Sequence, residues 1–127
     1  DYDKTLDQLA HWAESTDIVR TLVLTGLRQH TLPTRVGSHL ELYVTDPDQL
    51  LQDESWWTEL GEVLVVERLE TPGWYPTRLV YSAGGKLDFT IFPAEALPGR
   101  SYDRPFEFLV DKDDHAHSVT RTSPVHA

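Results

Sequence analysis

The sequence predicts an α/β (α+β) fold, a mixed β-sheet with helices packed on it, in a single domain spanning residues 1–127. Three observations point there. An amphipathic helical segment opens the chain, apolar or alternating runs of strand length follow with a second helical segment among them, and a glycine-containing connection joins two of the later runs as a hairpin. A chain of 127 residues buries roughly two-thirds of its unfolded surface, enough for a real core.

The elements follow in order. Residues 3–15 place Leu6, Leu9, Ala10 and Ala13 at helical spacing, with Asp3 suited to the N-terminal end. Ile18–Thr25 is β-branched and apolar and reads as a buried strand stopped at Gly26. Leu27–Pro33 is a loop or short helical turn, and Gly37 and Ser38 introduce a second strand, His39–Thr45. Its alternation sets Leu40, Leu42 and Val44 on one face and His39, Glu41 and Tyr43 on the other. Asp46-Pro47-Asp48 is a turn able to cap a helix, and helical content continues through Leu50, Leu51, Trp56, Trp57 and Leu60 to Gly61. Glu62–Glu70 reads as a third strand, ended by Thr71-Pro72-Gly73. Thr77–Ser82 and Lys86–Phe92 are two strands joined by Ala83-Gly84-Gly85. Pro93 starts a short helical turn over Ala94–Leu97, and Phe106–Val110 is a last strand before a polar tail without apolar period.

Composition excludes several functions. With 21 acidic against 11 basic residues and a formal charge of −10, the chain has the wrong sign for gripping nucleic acid through its phosphates. A cationic small molecule, or a nucleotide carried with metal, suits an acidic cleft. The absence of cysteine rules out disulfides and thiolate zinc sites. No apolar run approaches the ~18 residues of a membrane span, and no signal segment opens the chain, so a cytoplasmic location is expected.

The chemistry-bearing candidate is Asp88, set between Leu87 and Phe89 in the alternating run Lys86–Phe92. An acidic side chain there faces solvent, pairs with a cation, or sits in a cleft as metal ligand or base. His39 and Glu41 are open to two readings, the polar face of a half-exposed strand or members of a metal site. The acidic run Asp111, Asp113 and Asp114, with His115 and His117, has ligand-like spacing but reads as a solvated chain end, Lys112 helping to order the strand. Trp12, Trp56, Trp57 and Trp74 are core or partner surface, or platforms for stacking.

Five stretches together resemble the N-terminal nucleotidyltransferase-fold domain of the aminoglycoside 6-adenylyltransferase (streptomycin adenylyltransferase) family. They are Ile18–Arg28; Leu42-Tyr43-Val44-Thr45-Asp46; the Trp56-Trp57 and Gly61-Glu62 segment; Lys86–Pro93; and Leu109–Asp113. The resemblance implies a nucleotide-binding turn at Gly26 and Arg28, where the family's Gly-Ser-Arg cradles phosphates and Leu27 here replaces the serine. It implies magnesium and ATP as cofactors and a cationic, aminoglycoside-like acceptor. The family's two metal carboxylates fall on Gly37 and His39, so both are missing, whereas the carboxylate able to act as base is retained as Asp88. The family's C-terminal helical domain has no counterpart in this sequence.

Those losses matter because nucleotidyl transfer needs developing charge neutralised by divalent metal fixed between protein oxygens and phosphates. A rearranged set of His39, Glu41 and Asp88 is the candidate metal site, better matched to manganese or zinc than to magnesium. The resulting expectation is a transferase-fold domain with weak or lost activity, or a working enzyme on an unusual metal. The alternative is a non-catalytic module binding a cationic small molecule or a protein partner.

Overall fold

The computed structural model describes residues 2–25, 39–53, 63–68, 77–81, 87–103, 105–115 and 118–121. The chain opens with helix α1 (Tyr2–Ser15) and continues through strands β1 (Val19–Thr25) and β2 (His39–Val44), helix α2 (Pro47–Gln52), and strands β3 (Val63–Arg68), β4 (Thr77–Tyr81) and β5 (Leu87–Pro93). A 3₁₀ turn (Ala94–Ala96), the short strand β6 (Ser101–Tyr102), strand β7 (Phe106–Asp111) and the short strand β8 (Thr120–Arg121) complete it. Six strands form one sheet in the order β3-β4-β5-β2-β1-β7, and β6 pairs with β8 beside it. All ladders of the main sheet are antiparallel except β2–β5, so the sheet is mixed as expected. The strands expected around 19–25, 39–45 and 86–92 are consecutive neighbours within it.

Both faces of the central strands are buried, and side-chain alternation sorts the core into two layers. Leu22 and Leu24 from β1, Leu40, Leu42 and Val44 from β2, Ile91 from β5 and Val110 from β7 pack with Leu6, Leu9 and Ala13 of α1 and Leu50 of α2. These are the positions whose helical and strand periods are visible in the sequence. On the opposite face Val23, Tyr43 and Phe92 pack with Leu97, Tyr102 and Val119. That second layer is built by the 3₁₀ turn, β6 and the segment leading into β8, from a part of the chain without apolar period. The polar tail is thus corrected at one point: Val119 is buried.

The ends of the elements have local causes. Asp46 caps α2 by accepting the Gln49 N–H at 3.2 Å, with Pro47 in the first turn where no amide hydrogen is needed. Lys112 Nζ donates to the Thr16 carbonyl just past α1, and Arg20 meets Asp113 in a two-pronged pair at 2.7 and 3.1 Å. The stretch after β7 therefore ties down the junction between α1 and β1. Among the described residues, no helix is long and apolar enough to cross a membrane.

Candidate functional site

Three strand ends meet at one edge of the fold. The β1–β2 ladder pairs Thr25 with His39, and the parallel β2–β5 ladder pairs His39 with Asp88. The backbone thus lines up Thr25, His39 and Asp88 in a row across three neighbouring strands. For His39 and Asp88 the structure describes this backbone register only. Gly26, Leu27, Arg28 and Gly37 lie outside the described residues, as do Trp56, Trp57, Trp74 and His117.

Two steps along β2, Glu41 pairs in register with Thr90. It is 5% exposed, not part of a half-exposed polar face, and burial of a carboxylate there requires compensating charge and hydrogen bonds. Arg100 supplies the charge: one terminal nitrogen, Nη2, lies 2.9 Å from Glu41 Oε2 and 3.0 Å from Oε1. The hydroxyls of Tyr43, at 2.6 Å, and Tyr102 both donate to Oε1, and the two phenol oxygens are 3.2 Å apart. The Arg100 guanidinium also stands over two rings, 4.9 Å from the Tyr102 centroid and 5.2 Å from that of Phe92. Phe92 in turn stacks on Tyr43 at 5.0 Å, so carboxylate, guanidinium and three rings form one connected cluster.

The electrostatics follow from burial around a charge. Burial, then the neighbouring Glu41 carboxylate, pushes the Tyr43 phenol far above its ordinary value. Burial and the hydrogen bond to Glu41 push the Tyr102 phenol up to about 12. Burial opposes the charge on Arg100, but the field of Glu41, joined by Tyr43 and Tyr102, outweighs it and raises the guanidinium further. Both tyrosines therefore stay neutral donors and Arg100 stays charged. One group is not satisfied: Arg100 Nε is buried with no hydrogen-bond partner, an arrangement that costs about 1–3 kcal/mol.

This geometry bears on the metal site that the sequence raised. A divalent ion needs free carboxylate lone pairs, and at Glu41 it would have to displace the guanidinium and tyrosine donors. Among the described residues no group of three His, Asp or Glu side chains is placed to hold a metal.

The acidic run after β7 is structural in its visible part. Asp111 accepts the His115 N–H at 2.6 Å and lies 3.1 Å from His115 Nδ1, which is 3.4 Å from Thr21 Oγ1. Asp114 takes a positive φ of 55° in this turn, a conformation Asp tolerates better than most residues. Asp113, held below its ordinary value by the Arg20 hydrogen bonds, is an exposed partner of that arginine.

Sequence reasoning missed Arg100 and Tyr102. They follow Gly99 in a stretch too short and irregular for any period, and their one signal is a basic residue beside an aromatic in a strongly acidic chain.

Comparison with known proteins bears on the family and the fold. The family model described as streptomycin adenylyltransferase matches residues 1–126. An aminoglycoside 6-adenylyltransferase of Campylobacter jejuni is 24% identical over 119 residues, covering 85% of this chain and 41% of that protein. The crystal structure of an aminoglycoside 6-adenyltransferase from Bacillus subtilis matches with a TM-score of 0.55 at 16% identity, over 75% of this chain and 36% of that one. This second likeness shows a shared fold. The chain spans about two-fifths of the length of the curated relative it matches.

Proposed function

Because this chain belongs to the streptomycin adenylyltransferase family, we propose that it is an aminoglycoside 6-adenylyltransferase-like nucleotidyltransferase domain whose metal-dependent transfer is weak or lost. The observation that supports this reading is the β2–β5 register. His39 stands directly beside Asp88, at a position where the resemblance calls for a metal carboxylate.

An imidazole there carries no negative charge to help fix magnesium against a triphosphate, and Gly37 offers no ligand at all. Glu41, the remaining carboxylate on β2, is already neutralised by Arg100. Asp88 keeps the position of the general base, able to accept a proton from an acceptor hydroxyl. Nucleotide binding through Gly26 and Arg28 is accordingly weak.

Titration calorimetry of the chain with ATP, with and without magnesium, tests this. The expected result is weak binding that magnesium does not strengthen. Tight, magnesium-dependent ATP binding that Asp88→Asn abolishes would overturn it and establish a working metal site.

One observation favours a second reading, a module that binds a cationic small molecule: a chain of net charge −10 buries a carboxylate against a guanidinium.

A further inference from the structure

We draw no further inference here: the strongest candidate, the half-buried aromatic pair of Phe106 and Phe108 on the edge strand β7, whose rings meet edge to face at 5.8 Å, carries none because nothing in the structure shows what covers it.

Discussion

Removing the Tyr102 hydroxyl should change both the stability of the fold and its response to alkali. Tyr102 is 6% exposed and donates to Glu41 Oε1, and a hydrogen bond to a charged group contributes about 1.5–3 kcal/mol. Tyr102→Phe is therefore expected to lower the unfolding free energy at pH 8 by about 2 kcal/mol, read from urea denaturation. The pH response follows from the phenol, which burial and the Glu41 hydrogen bond raise from 10.0 to about 12.

Between those values the folded protein still holds a proton that the unfolded chain has released. The contribution is thus fully present below pH 10 and is lost as pH rises through 12. Integrated over that window, about 1.4 kcal/mol is gone by pH 11. Phenylalanine has nothing to titrate, so the gap between parent and variant should narrow from about 2 kcal/mol at pH 8 to about 0.6 kcal/mol at pH 11. Lysines and exposed groups titrate in both proteins and cancel. Repeating both curves in a Tyr43→Phe background takes the neighbouring phenol out of the comparison. A gap of the same size at the two pH values refutes the reasoning.

Two further substitutions probe the layers around this cluster. Val119→Ala removes two buried methyl groups from the face that covers Tyr43 and Phe92 and should cost about 2 kcal/mol by urea denaturation; no measurable loss would show that the segment before β8 does not close the core. Asp46→Ala removes the side-chain acceptor for the Gln49 amide and should cost about 1 kcal/mol, with Asp46→Asn retaining most of it; equal losses for Ala and Asn would mean that the cap is not what Asp46 provides.

Much of the fold was legible because it rests on periods. Leu6, Leu9 and Ala13 mark one stripe of α1, and Leu40, Leu42 and Val44 mark one face of β2, and these same residues meet in the core. The hairpin of β4 and β5 was legible from its connection, and the two do pair antiparallel. What the sequence could not reveal was that the other face of β2 is covered as well. Its cover comes from two-residue strands and a 3₁₀ turn, elements too short to carry a period, so Glu41 read as a polar surface residue or a metal ligand and its arginine went unnoticed. The ion pair of Arg20 with Asp113 spans 93 positions, and no local pattern announces such a contact. The nearness of His39 to Asp88 was expected only through the family resemblance, since spacing alone does not tell which strands lie side by side, and Thr25 joins them in the row without having been singled out.

The parallel pairing of β2 with β5 sets an order of events for the chain as it is made. β2 is complete at Val44, but its partner on that side begins at Leu87, after α2, β3 and β4 have been synthesised. Until then one edge of β2 carries a row of amide and carbonyl groups without ladder partners, in a strand rich in apolar residues, which is the kind of edge that invites pairing with other chains. Its opposite edge can already be filled by β1, so a nascent chain reaches a stage with part of the sheet formed and Asp88 not yet in place. Closure of the long loop to β5 then does two things in one step: it shields the vulnerable edge and brings Asp88 beside His39. A chain that stops short of Leu87 lacks the candidate site and keeps the exposed edge, so that failure to build the site and a tendency to aggregate share one cause.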